Sequence, residues 1–498
     1  MSNSQHHAID KGLKKNALSY LSNMTIAVAS TSPAYSIAAT LGPVVGFAAF
    51  GTPSIMILAF IPMLFIAVAC YHMNRADPDC GTTFSWVTRS MGPRAGWMGG
   101  WSIIVTNILV MPSLADISGK YTFRLFGVAD PSALDVGVAG VAWIAILTVI
   151  CYLGITLSAR TQQILLGAEL GILVVFAAVA LAQVYAGIPP AESQHVSLSW
   201  FNPLYIGDFS KFTEAMVLAV FIYWGWDSCI AVNEETKDPR TVPGYAAVVS
   251  TIILVGLYAL VAVAAVAVAG PDLLTKNGDD VLAPLGQSVL GPSLGKVLVL
   301  AVLTSALAST QTSILPAARM VLSMTHAGAI PRRFGEIHTR HLSPGFATVT
   351  MGVVSIVWYV GLTVLSADLL TDSITALGLV IAFYYGLTGF SCVVFYRREI
   401  LTSWSNFVSM GVLPAAGALT MFLLLIRACF VPGDATTTQI SVLGVAGPVV
   451  IGVASVLTGF LLMVFAQFGF PDFFRRRPEV FRGERETVAN SPHDANLR

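Results

Sequence analysis

Charge is scarce in this sequence. Only 11% of its 498 residues are Asp, Glu, Lys or Arg, against about 25% in an ordinary soluble domain. Hydrophobic residues make up 55%, and the mean hydropathy is +0.75. A soluble chain of this length needs more charge to cover its surface, so a soluble enzyme and a disordered protein are excluded. The 27 basic residues are balanced by 27 acidic ones, which leaves no positive field for a nucleic-acid partner. The six cysteines (Cys70, Cys80, Cys151, Cys229, Cys392 and Cys429) include no CxxC spacing. They read as small packing residues, with neither a disulfide framework nor a metal site. None of the eight histidines lies in the interior of an apolar run, so no intramembrane metal centre is expected. No GxxxxGK[ST] run is present, which argues against ATP-driven pumping by this chain. No cofactor is implied.

The sequence does contain continuous apolar runs of a length that spans a bilayer as helix. An outer-membrane barrel would instead alternate apolar and polar residues over about ten positions. Twelve spans are expected, near 24–49, 53–73, 96–119, 136–157, 162–187, 212–233, 244–269, 293–324, 345–366, 372–396, 406–429 and 443–467. The fold class is therefore an all-α polytopic membrane protein in a lipid bilayer. Residues 1–23 form a polar, basic tail, and the first run is too long for a signal-peptide core, so it is read as a retained span. Residues 468–498 form a second polar tail.

Positive charge sets the orientation. With the amino terminus inside, only Lys120, Arg124, Lys211, Lys276, Lys296 and Arg427 fall in outside segments, and Arg319 within a span. The remaining lysines and arginines all lie inside. Both termini are expected to be cytosolic, with the chain in the cytoplasmic membrane.

Two spans are interrupted. The first carries Ser30-Thr31-Ser32-Pro33-Ala34-Tyr35-Ser36 near its middle. Pro33 removes a donor and clashes with the preceding turn, while the hydroxyls can re-satisfy freed backbone groups or contact a ligand. The sixth carries Tyr223-Trp224-Gly225-Trp226-Asp227-Ser228. Gly225 permits non-helical backbone, and Asp227 is positioned to cap a new half-helix. Irregular backbone at membrane depth survives where protein or a cavity satisfies it. Breaks at corresponding places in two halves point to a transporter site. Their spacing of five spans suggests inverted repeats over 24–187 and 212–396, a ten-helix core over 24–396, and two added helices over 406–467.

Four stretches then carry a resemblance: "PDCGTTFSWVTRSMGPRAGWMGGW", "YLGITLSARTQQILLGAEL", "FIYWGWDSCIAVNEETKDPRTVPGYA" and "AARMVLSMTHAGAIPRRFGEIHTRHLSPGFA". In this order the chain resembles the amino acid–polyamine–organocation family of secondary transporters over nearly its whole length. The resemblance implies a leucine-transporter-like five-plus-five fold and proton-coupled amino acid transport (symport), with exchange or amine import as alternatives. Many members carry a Gly-x-Gly break in span 1. Here Ser30-Thr31-Ser32-Pro33 stands in its place, and the backbone is expected to open less freely.

A zwitterionic substrate suits such breaks, since a half-helix amino end favours a carboxylate and a carboxyl end favours an ammonium. Ser30, Thr31, Ser32, Pro33 and Ala34 are expected to line one side of the site. Phe221, Trp224, Gly225 and Trp226 are expected on the other, with Phe221 where relatives place a gating aromatic. Asp227 and Asn107 are further contact candidates, with helix capping and interhelical bonding as their structural alternatives. Glu169 is a lone carboxylate in span 5, costly there when ionised. In proton-coupled relatives a lysine often stands near this position, and Glu169 is the candidate to carry the coupling proton or to gate the ion site, with a permanently protonated carboxyl bonded to a neighbouring helix as its structural alternative. Asp116 reads as an interfacial charge. Glu234 and Glu235, with Lys237 and Arg240, are candidates for an inner gate.

Other architectures fit less well. A six-plus-six transporter would show a long central loop and a GxxxDRxGRR-like loop after span 2, and "NRADPDCG" is not one. A membrane sensor would carry a signalling extension. A channel would need a continuous polar lining, and an intramembrane enzyme a nucleophile–base or metal cluster. The substrate is left open between neutral amino acids, cationic amino acids and amines, and the sequence leaves the oligomeric state undetermined.

Overall fold

The computed structural model describes residues 10–128, 130–187, 193–277, 280–365, 367–429, 441–442 and 445–477. Parts of both expected tails, of the 188–211 loop and of the start of the last expected span lie outside the described residues. The chain is an all-α polytopic bundle. Its helices are α1 (Tyr20–Ser30), α2 (Pro33–Ala48), α3 (Thr52–Ala76), α4 (Thr82–Met91), α5 (Pro93–Leu125), α6 (Ala133–Tyr152), α7 (Ile155–Ala186), α8 (Phe209–Phe221) and α9 (Val242–Lys276). There follow α10 (Leu282–Leu294), α11 (Lys296–His326), α12 (Gly345–Leu365), α13 (Ala367–Tyr396), α14 (Trp404–Asn406), α15 (Leu413–Cys429), α16 (Gly447–Gly469) and α17 (Pro471–Phe474). Two short segments, Ser441–Val442 and Val445–Ala446, pair antiparallel. Among the described residues, ten segments are long and apolar enough to cross a membrane, and one of them, Tyr20–Ala76, runs through α1, α2 and α3.

Burial orders the bundle. Helix α11 is its centre, with every residue from Ala301 to Thr325 buried, including Ser305, Ser309, Gln311 and Arg319. Helix α7 buries one stripe, Leu166, Glu169, Leu173, Phe176, Ala177, Ala180 and Val184, at the spacing of one helical face. Its other face exposes Ile164, Val174 and Val175, as a helix bordering lipid does. Helix α16, one of the least buried, is pinned to α5 by indole N–H groups. Trp97 Nε1 donates to Gly459 O at 3.2 Å and Trp101 Nε1 to Ser455 O at 2.8 Å. A Cβ at Gly459 would collide with the Trp101 ring, so the small residue is what admits this approach. Helix α3 packs on α9, α5 on α11, and α6 on α12.

The first expected span is broken where the sequence indicates. A residue before proline is driven out of the right-handed helical region. Ser32 has left that region, but for the left-handed one at φ 47°, ψ 61° rather than the extended backbone a following proline favours, and Pro33 opens α2 at a position whose N–H a helix does not use. The break thus opens without glycine, with a serine in the left-handed region that side chains rarely adopt. The sixth expected span departs from expectation. Regular helix stops at Phe221, and no capped α-helical second half follows. The chain continues through 3₁₀ turns at Trp226–Cys229 and Asn233–Glu235 until α9 begins.

Candidate functional site

The two breaks touch. Gly225, at φ +117°, lies against the backbone of the first break: a Cβ there would be 2.4 Å from Ser30 O and 3.2 Å from Thr31 N. Only glycine supplies both that dihedral and that approach.

The first break is tied to α7 and α11. Ala34 N–H donates to Glu169 Oε1 at 2.7 Å. Tyr35 N–H donates to Ser305 Oγ at 3.2 Å, and Ser32 Oγ donates to Ser305 O at 3.3 Å. Ser309 Oγ donates to Ser30 O at 3.1 Å. The hydroxyls of Ser30 and Thr31 are spent on their own helix, donating to Ile26 O and Val28 O at 2.6 and 2.7 Å. Tyr35 and Ser113 share a short hydroxyl–hydroxyl bond. Glu169 is fully buried. The Ser305 hydroxyl lies beside its carboxyl, yet Oε2 has no partner in hydrogen-bond geometry.

The second break is tied to α13. Asp227 Oδ1 accepts from the Tyr385 hydroxyl at 2.9 Å and Oδ2 from Tyr384 at 3.3 Å. Its side chain therefore does not cap a helix, the alternative weighed from sequence. Trp224 Nε1 donates to the Tyr384 hydroxyl. The Trp226 ring stacks on Tyr385 at 5.5 Å and 22°, and its Nε1 is buried without a partner. Phe221 lies against Gly378 of α13, where a Cβ would be 2.7 Å from its ring. Asn107 Nδ2 donates to Ile103 O at 2.8 Å, a bond within its own helix. Asp116 pairs with Lys120 at 2.7 Å, one helical turn on.

A separate charge cluster lies at the end of the bundle that holds residues 10–18. Glu234 and Glu235 are there, with partners other than Lys237 and Arg240. Lys11 Nζ, buried, lies 2.9 Å from Asp79 Oδ2, 2.7 Å from Glu234 Oε1 and 3.4 Å from Cys80 Sγ. Asp79, Cys80 and Glu234 place their ligand-type atoms within 4.8 Å of one another, and the Lys11 ammonium supplies the positive charge among them. Burial opposes the Lys11 charge, but Asp79 and Glu234 outweigh it and hold its pKa well above the ordinary lysine value. Burial likewise opposes ionisation of Asp79, and Lys11 with the Ser323 hydroxyl outweighs it, holding this carboxyl well below its usual range. Deeper in, Glu235 grips Arg319 through two bonds of 2.7 and 3.1 Å with both side chains fully buried. Leu18 pairs by backbone with Glu235 and Lys237 at 3.0 and 2.9 Å, so the segment before α1 is strapped to the chain beyond the second break.

Sequence reasoning missed Lys11, Ser305, Ser309, Tyr384, Tyr385 and the Arg319 partnership. The hydroxyl-dense stretch Thr304-Ser305 to Ser309-Thr310-Gln311-Thr312-Ser313 and the Tyr384-Tyr385 doublet were the available signals.

A multi-pass helical bundle with a polar centre made from two interrupted helices defines a class of membrane protein. Comparison with known proteins gives the family. The profile of the amino acid permease family matches residues 18–468, and the chain belongs to that family, within the amino acid–polyamine–organocation group. It is 24% identical to the branched-chain amino acid permease BcaP of Lactococcus lactis over 62% of this chain and 68% of that one. It is 24% identical to the low-affinity putrescine importer PlaP of Escherichia coli K12 over 77% of this chain and 82% of that one. It is 24% identical to the human Asc-type amino acid transporter 1 over 59% and 56%.

Proposed function

We propose that this protein is a secondary transporter rather than an enzyme, carrying amino acids or amines across the cytoplasmic membrane by alternating access, with uptake coupled to protons. The observation that carries the reading is Glu169. Its carboxylate reaches from α7 to the first break, holding Ala34 N–H with one oxygen and leaving the other unmet. A carboxylate in that place changes its grip on the break when it takes or loses a proton. Ser30, Thr31, Ser32, Pro33 and Ala34 form one side of the substrate site. Phe221, Trp224, Gly225, Trp226 and Asp227 form the other, and Asn107 is a peripheral contact. The twelve-span, five-plus-five arrangement is supported by helix pairs five spans apart packing together, α3 on α9, α5 on α11 and α6 on α12. The charge bias places residues 10–18 on the cytosolic side, so the cluster of Lys11, Asp79, Glu234, Glu235 and Arg319 is the closed inner gate, and both termini are cytosolic.

Gradients supply the work. One elementary charge moved across 100 mV is worth about 2.3 kcal/mol, and a tenfold proton gradient adds about 1.4 kcal/mol. The test is uptake into proteoliposomes from sodium-free buffer, over a panel of amino acids and amines. Acidic outside medium is expected to accelerate uptake, and Glu169→Gln to flatten that pH dependence. A Glu169→Gln protein with the parental pH profile would remove Glu169 from coupling.

A further inference from the structure

The donors at the amino end of α2 are already filled by the protein. Pro33 has no N–H. Ala34 N–H is bound to Glu169 Oε1 at 2.7 Å, Tyr35 N–H to Ser305 Oγ at 3.2 Å, and Ser36 N–H to Ser32 O at 2.7 Å. A helix amino end attracts an anion through such free N–H groups and its partial positive charge. Here that seat is already filled by a carboxyl group of the chain itself. A ligand carboxylate would find no free donor there.

The unused capacity nearby is of the opposite kind. Asp227 takes one tyrosine hydroxyl on each oxygen, and an ionised carboxylate has about four acceptor sites. Neither Asp227 nor Glu169 forms an ion pair with a lysine or arginine among the described residues. Asp227 is flanked by Trp224, by the stacked pair Trp226 and Tyr385, and by Tyr384. Aromatic faces beside a carboxylate favour an organic ammonium. Trp226 Nε1 is a donor without a partner, but a neutral N–H gives a ligand carboxylate no counter-charge.

We propose that the site selects primary amines that lack an α-carboxylate, with Asp227 and its aromatic surround receiving the ammonium and Glu169 occupying the seat an amino acid's carboxylate would need. The proposal rests on the transport reading above and narrows its substrate class.

Putrescine and ornithine differ by one carboxylate and are the probes. With the purified full chain, putrescine is expected to raise the melting temperature and to drive counterflow in liposomes. Ornithine is expected to be weaker by about tenfold or more, the scale of a carboxylate left without its donors. In Glu169→Ala, the Ala34 N–H is freed, and ornithine is expected to gain on putrescine by about tenfold as its carboxylate takes that donor. Asp227→Asn is expected to lose the putrescine response, and it serves as the second variant should Glu169→Ala fold poorly. Ornithine matching or exceeding putrescine in the parent, an unchanged ratio in Glu169→Ala, or a full putrescine response in Asp227→Asn would each overturn the proposal. Counterflow with amino acids but not amines sinks the selectivity and leaves transport standing. A putrescine-specific melting shift with no counterflow by any solute sinks transport and leaves the selectivity.

Discussion

The two polar regions of this molecule solve opposite problems. At the amino-terminal end of the bundle, the buried charges face opposite ones: Lys11 meets Asp79 and Glu234, and Arg319 meets Glu235. At the helix breaks, the carboxylates of Glu169 and Asp227 meet only neutral donors. Removing charges from water is costly, and in a low-dielectric setting mutual attraction offsets that cost only with good geometry and full hydrogen bonding. The first region meets those conditions and reads as a closure. The second leaves capacity unmet, which is what a site for a proton or a cationic solute requires.

Four substitutions probe that contrast, from the largest expected effect down. Gly225→Val places a side chain into Ser30 O, where even a Cβ is only 2.4 Å away. Uptake is expected to vanish with normal insertion and expression, and parental uptake would mean the breaks need not touch. Arg319→Ala strands the Glu235 carboxylate in the interior, and a loss of about 3–5 kcal/mol follows if that charge has no other partner. Thermal unfolding reads it, and a parental midpoint would show the pair to be dispensable.

Lys11→Ala should loosen the strap rather than unfold the bundle. Cys80, buried beneath Lys11, is then expected to react several-fold faster with a maleimide; unchanged labelling would show that other contacts close this end. The parental closure should also be insensitive to pH. Asp79 has a depressed folded pKa, so its contribution is present above the unfolded value near 3.8 and lost as pH falls through the lowered one. Lys11 has a raised folded pKa, so its contribution is complete below the unfolded value near 10.5 and lost as pH rises through the raised one. Between about pH 5 and 9 neither group titrates, and Cys80 protection should stay flat once thiol ionisation is corrected for. The smallest effect is expected for Ser305→Ala, which strips Tyr35 N–H of its partner, at about 1–3 kcal/mol in thermal unfolding; a parental midpoint would show that this bond adds nothing to the break.

Much of the frame was legible in the sequence because the signals were local. Apolar runs of bilayer length marked helices, Pro33 marked the first break through its effect on Ser32, and Gly225 marked the second. Glu169 stood out as a carboxylate with no basic neighbour. The reading failed where a residue's role depends on distant partners. Lys11 looked like tail charge, yet its partner Glu234 lies 223 positions away. Asp227 looked like a helix cap, yet its hydroxyl donors come from Tyr384 and Tyr385 on α13. Helix beyond Gly225 was expected from hydropathy, and the chain forms 3₁₀ turns there instead.

The sequence by itself determined that this chain is a bundle of membrane helices with two interruptions, because hydropathy, proline and glycine act over one or two turns of backbone. Only the tertiary structure decided that the interruptions meet, that Glu169 fills the amino end of α2, and that a lysine from the leading segment pairs with Asp79 and Glu234 at one end. Those outcomes depend on which buried polar groups find each other across the bundle, and burial penalises every arrangement that leaves them unpaired.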